Sequence, residues 1–194
     1  MKRTDTSWFS SLRPRFARED GNVTIEFVIL FPIFMVLFMS AFEVGLLMVR
    51  QVMLDRAVDL TVRSLRLGQW DIPTGDSDEA KLAQLAVHDQ MKTVICDAAG
   101  ILPDCESNLF IELNKVSTVT WEPLSTAVTC ADKNAEVSPP ASFNSGLKND
   151  LMMVRVCSKQ KPIFPLSGLG AKLQYVDNEY YALVSMTAFV NEPS

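Results

Sequence analysis

Among the 194 residues there is one histidine, His88. No fixed nucleophile or metal pattern accompanies it, and the chain has no P-loop, no HExxH helix and no GxSxG elbow. Gly168-Leu169-Gly170 is too short for a dinucleotide fingerprint and follows Pro165 in a loop-like stretch. His88 stands beside Asp89 within an amphipathic pattern, where a surface position is expected. No catalytic activity, cofactor or metal is therefore expected. Cysteine is also scarce: the four residues Cys96, Cys105, Cys130 and Cys157 are spaced by 9, 25 and 27, with no CxxC pair. Structural zinc sites use closer ligand pairs. Nor is there a basic cluster interleaved with aromatics beyond the apolar run described next, which excludes an obvious nucleic-acid surface.

Charge is missing where it would matter most for solubility. Val23 to Val49 spans 27 positions with only Glu26 and Glu43 charged, roughly 40 Å of helix and enough to cross a bilayer. The first 21 residues hold Lys2, Arg3, Arg13, Arg15 and Arg18 against Asp5, Glu19 and Asp20, a basic leader in a chain of net charge −5. That bias favours a cytoplasmic N-terminus, although Arg50, Arg56, Arg63 and Arg66 follow the helix and weaken the asymmetry. All four cysteines lie beyond the helix, consistent with an oxidising periplasm on that side. Of the three connectivities, Cys96 with Cys105 and Cys130 with Cys157 is favoured, the first pair bracketing a turn with Gly100 and Pro103, the second ending two strand-like runs. The run has no A-x-A-like signal-peptidase site after it.

Helical spacing continues past the span. Leu54, Val58, Val62 and Leu65 keep one apolar face, Asp59 and Arg63 form an i, i+4 pair, and Gly68 is the first stop signal. Pro32 should kink this long helix. A second helix is expected from Asp76 as N-cap with Glu79 three residues on, an apolar stripe of Val87, Met91, Val94, Ile95 and Ala98, and Gly100 as terminator. Strands are expected at Leu109 to Leu113, Ala127 to Cys130, Met152 to Cys157 and Tyr181 to Val190, with loops at Pro139-Pro140, at Asn144-Ser145-Gly146 and from Pro162 to Gly170. The fold class is α+β: a long N-terminal transmembrane and amphipathic helix, a second helix and a small antiparallel β-sheet head. The boundaries expected are 1–21 leader, 22–49 transmembrane helix, 50–68 stem and 69–194 head.

Glu26 is the residue this pattern leaves unexplained, since an intramembrane acid costs of order 3 kcal/mol at mid-helix. Glu43 lies 17 residues further on, about 26 Å along a helix. The two carboxylates can then sit at opposite interfaces, an explanation accepted here for Glu43.

The segment Gly21-Asn22-Val23-Thr24-Ile25-Glu26-Phe27 resembles the cleavage region of type IV prepilins. With Val28-Ile29-Leu30-Phe31-Pro32, Glu43-Val44-Gly45, Arg50 to Ala57 and Arg63, it is similar to the N-terminal signature of TadE-like minor pilins of the tight-adherence (Flp) pilus. Asn22 in place of an aromatic or Met, and the early Pro32, depart from the type IVa pattern and favour the tight-adherence branch.

The resemblance implies cleavage after Gly21 by a prepilin peptidase, a leader that is removed, and a mature chain starting at Asn22. It implies a single-pass inner-membrane protein with a periplasmic head that joins other pilin subunits in the pilus. It also gives Glu26, with Phe27 beside it, an assembly role: the carboxylate meets the new α-amine of a neighbouring subunit. At roughly 4 Å and an effective dielectric near 20, such a pair attracts by about 4 kcal/mol before desolvation. The competing architecture is an uncleaved, single-span tethered binding module. A tethered enzyme would need a clustered polar pocket, for which the sequence offers only His88 and scattered carboxylates.

Overall fold

The computed structural model describes residues 22–73, 75, 77–120, 130, 143, 146–166, 168–177 and 179–192. The leader through Gly21, Asp76, most of the strand expected at Ala127 to Cys130, Pro139-Pro140 and Asn144-Ser145 lie outside the described residues. The chain is α+β: a long apolar helix, a second helix and a four-stranded antiparallel sheet.

Helix α1, Asn22–Arg66, is 45 residues long, about 68 Å at 1.5 Å per residue. It continues through Pro32. It ends where Gly68 adopts φ 66°, with Gly68 N–H donating to Leu65 O and Gln69 N–H to Ser64 O. This Schellman pattern satisfies last-turn carbonyls and uses a left-handed position that glycine occupies without a Cβ clash. Arg63 and Arg66 stand in that last turn, where positive charge suits the helix dipole.

Helix α2, Asp78–Ala99, is capped by Ser77, whose side chain accepts from Ala80 N–H at 3.2 Å, not by Asp76 as the spacing to Glu79 suggested. A serine one residue later reaches the same kind of free first-turn donor, and Asp78 and Glu79 then supply first-turn negative charge. Gly100 closes it with φ 60°, donating to Cys96 O at 2.9 Å. The buried face is His88, Met91, Ile95 and Ala99, with Val87 and Ala98 partly covered. Val94, expected in the stripe, is exposed, and His88, expected on the surface, is buried.

A one-turn helix α3, Cys105–Asn108, leads into β1, Leu109–Val116. The remaining strands are β2, Leu151–Gln160; β3, Tyr175–Asp177; and β4, Tyr180–Val190. Their order is β1-β2-β4-β3, all antiparallel. The short edge strand β3 was not legible as a strand, and β2 runs three residues past Cys157, so that cysteine sits inside a strand rather than at its end.

Register places Leu109, Ile111 and Leu113 beside Ser158, Val156 and Val154, and these beside Leu183, Ser185 and Thr187. This face packs with Leu54, Val58, Val62 and Leu65 of α1 and Met91 and Ile95 of α2 in one hydrophobic core. The opposite face carries Glu112, Arg155 and Cys157. Arg155 Nη1 pairs with Glu112 Oε2 there at 3.4 Å, and Cys157 is bridged to Cys130. The other bridge ties Cys96 near the end of α2 to Cys105 of α3, with Cα atoms 5.7 Å apart.

Candidate functional site

Two regions of α1 behave differently, and the change falls at Glu43. From Val23 to Phe42 the large apolar side chains Val23, Ile25, Phe27, Val28, Ile29, Leu30, Phe31, Ile33, Phe34, Val36, Leu37, Phe38 and Phe42 are all exposed. They point to every side of the helix, because their spacing includes consecutive positions such as Phe27 to Phe31. Leaving thirteen large apolar side chains in water at ~1.5 kcal/mol each amounts to about 20 kcal/mol. That exceeds the whole stability of a typical domain, so this surface is suited to apolar surroundings such as lipid or other apolar helices. Its 20 residues match the thickness of a bilayer core, about 30 Å. The helix is long and apolar enough to cross a membrane.

Within this segment Glu26 is exposed and projects from the apolar helix one turn from its start. Phe27 stacks on Phe31, with ring centroids 5.1 Å apart, and both rings face outward. Glu26 and Phe27 thus lie on the uncovered part of the helix, open to a neighbour. Asn22 is the first residue of α1, and Gly21 lies outside the described residues.

From Glu43 onward one stripe of α1 faces the head: Glu43, Arg50, Leu54, Ala57 and Val58, Thr61 and Val62, then Leu65. The spacing of three or four is the helical repeat of a buried face. Its end next to the exposed apolar span is polar. Glu43 is only 2% exposed, and its carboxylate accepts from Ile163 N–H with both oxygens at 3.1 Å and from Phe164 N–H at 3.1 Å. Glu43, expected near an interface, is buried by the head at the end of the exposed span and holds a loop of the head onto the helix.

Two turns later Arg50 Nη1 donates to Tyr181 Oη at 3.2 Å and to Lys161 O at 3.4 Å, while Gln51 donates to Val184 O at 3.1 Å. Arg50 is 8% exposed and acts as a strut from α1 to β4 and to the first residue after β2. Phe42 meets Phe164 edge to face at 6.5 Å between centroids. A Cβ on Gly168 would collide with Ser40 Oγ, so the loop touches the helix within its apolar part.

The four cysteines are brought together in the pairs Cys96 with Cys105 and Cys130 with Cys157. His88 is enclosed by Phe110 and Phe143, ring centroids 6.0 and 5.3 Å away, with Nδ1 3.4 Å from Asp89 Oδ1. Burial, with Lys92 adding to it, lowers its pKa; Asp89 and a backbone contact at Ile111 oppose that. An aromatic enclosure of this kind fills a core rather than poising a base. A cleft of about 280 Å³ at the far end of the head lies between the end of α1, Trp70 and the end of β4. Among the described residues no group of three or more His, Cys, Asp or Glu is placed to hold a metal ion.

Residues 21–63 match the model of the family described as TadE-like protein. No curated protein and no solved structure matches the chain. The matched stretch runs from the glycine before α1 through the exposed span, Glu26, Glu43 and most of the stem, and over that stretch the chain is similar to the TadE-like family.

Proposed function

We propose that this chain is the precursor of a minor pilin or pseudopilin of a tight-adherence (Flp) pilus. A prepilin peptidase cuts after Gly21, and the new N-terminus at Asn22 remains on the cytoplasmic face of the inner membrane. The span holds the subunit in the membrane with its head in the periplasm until the subunit enters, or helps to assemble, the pilus. Its role is structural rather than catalytic.

The observation that carries this reading is the helix of the TadE-like segment, whose first 20 residues after Asn22 leave apolar side chains uncovered on all sides while its stem is welded to the head. Such a surface can be solvated by lipid before assembly and by neighbouring helices after it. Glu26 then has a partner only in the processed state, the α-amine of the next subunit. Charge pairing fixes the register between helices, and apolar burial supplies most of the free energy.

Intact-mass measurement of the protein isolated from membranes tests processing. The expected mass is that of residues 22–194. A protein that still carries residues 1–21 would overturn the pilin reading and favour the uncleaved, tethered binding module.

A further inference from the structure

We propose that the loop from Pro162 to Ala171 dips into the outer surface of the bilayer beside α1, so that the head holds the membrane at two points instead of one. The inference rests on the membrane-spanning reading of Val23 to Phe42. Between Lys161 and Lys172 the sequence has no charged residue, and it runs Pro-Ile-Phe-Pro-Leu before its glycines. Leu166 is 95% exposed, the most exposed large apolar side chain among the described residues, and Ile163 is 43% exposed.

Its position names its occupant. The loop contacts the helix at Ser40, at Phe42 and at Glu43, the last turn of the 20-residue apolar span. The loop therefore lies beside the last turn of the exposed span. If the span sits in hydrocarbon about 30 Å thick, its outer boundary falls at this turn. The loop then lies at the level where acyl chains meet headgroups.

Loop backbone at that depth is tolerated only when its polar groups are satisfied within the protein. Glu43 does this for the amides of Ile163 and Phe164. Further along, Lys172 N–H donates to Leu169 O, and Tyr175 Oη donates to Gly170 O, each at 2.8 Å. A carboxylate within an apolar helix is thus accounted for by the amides it covers. Lys161, which pairs with Glu179 and lies over the Tyr180 ring, Lys172 and Tyr175 flank the apolar tip. Long cationic stems and tyrosines of this kind suit the headgroup region.

The test places a photoreactive benzoylphenylalanine at one position of the full chain. The protein is reconstituted in phosphatidylethanolamine–phosphatidylglycerol vesicles, and phospholipid adducts are measured by mass after illumination. Leu166 reports on the loop, Leu37 on the span, and Leu147, 69% exposed at the far end of the head, on water. Because Leu166 is almost bare, the substitution leaves packing intact. The expected result is lipid adduct at Leu37 and Leu166 and several-fold less at Leu147.

Adduct at Leu37 with Leu166 no higher than Leu147 overturns the proposal while leaving the span in place. Crosslinking of Leu166 to protein instead of lipid overturns it as well. Absence of lipid adduct at Leu37 overturns the membrane-spanning reading and, with it, this one.

Discussion

Replacing Glu43 with Gln removes a charge that the sequence alone assigns to an interface but that the structure buries. The carboxylate receives two backbone donors through three contacts, all at 3.1 Å. Hydrogen bonds to a charged acceptor contribute about 1.5–3 kcal/mol each. An amide has one acceptor oxygen and turns an NH2 toward one of the two donors, so one loop amide and the new NH2 are left facing each other. Losses of ~1–3 kcal/mol per unsatisfied group work against the relief of no longer burying a charge, which is several kcal/mol by itself. The three-contact geometry decides the sign, because a carboxylate so well solvated by protein has recovered most of its desolvation cost. The expected net loss is about 2 kcal/mol at the junction.

Hydrogen exchange resolves this locally. The amides of Ile163 and Phe164 should exchange roughly thirtyfold faster in Glu43→Gln, the factor corresponding to that free energy. Amides of Ile111 and Val156 in the sheet core should change much less, since they are packed independently of the junction. Unchanged exchange at Ile163 and Phe164 in Glu43→Gln would refute the latch.

Glu26→Gln should leave cleavage after Gly21 intact but reduce pilus-associated protein relative to membrane-bound protein; wild-type amounts in pili would defeat the charge-pair account. Reduction should destabilise the head, since closed loops with separations of 9 and 27 residues restrict the unfolded chain by about 2.5 and 3.5 kcal/mol; an unfolding curve unmoved by reductant would show the bridges to be dispensable. His88 has a folded-state pKa below its usual value, so the unfolded chain takes up the proton first as pH falls. Stability should therefore be full above about pH 6.5 and decline below it. His88→Gln should flatten that decline, and an equal slope in denaturant titrations of both proteins would refute it.

The sequence by itself determined what depends on nearest neighbours along the chain. An apolar run of this length specifies a helix that water cannot solvate. The spacing of Leu54, Val58, Val62 and Leu65 specifies which side of the stem is buried, and all four lie in the core. Gly68 and Gly100 specify where the two helices stop, because only a residue without a Cβ enters the left-handed region at little cost. Alternating patterns at Leu109, Met152 and Tyr181 specify strands, and each lies in one.

The cap of α2 escaped because Asp76 and Ser77 are both good caps, and the choice between them is a matter of one residue of backbone geometry. His88 escaped because its burial depends on Phe110 and Phe143, which reach it from elsewhere in the chain. β3 escaped because three residues show no period. Glu43 shows most clearly what only tertiary structure decided. Its role is set by amides 120 and 121 positions away, whose approach depends on the strand order β1-β2-β4-β3 and on the loop that follows β2. A carboxylate in an apolar helix reads locally as a cost. Only the folded chain brings the two donors that make it a junction between the long apolar helix and the head.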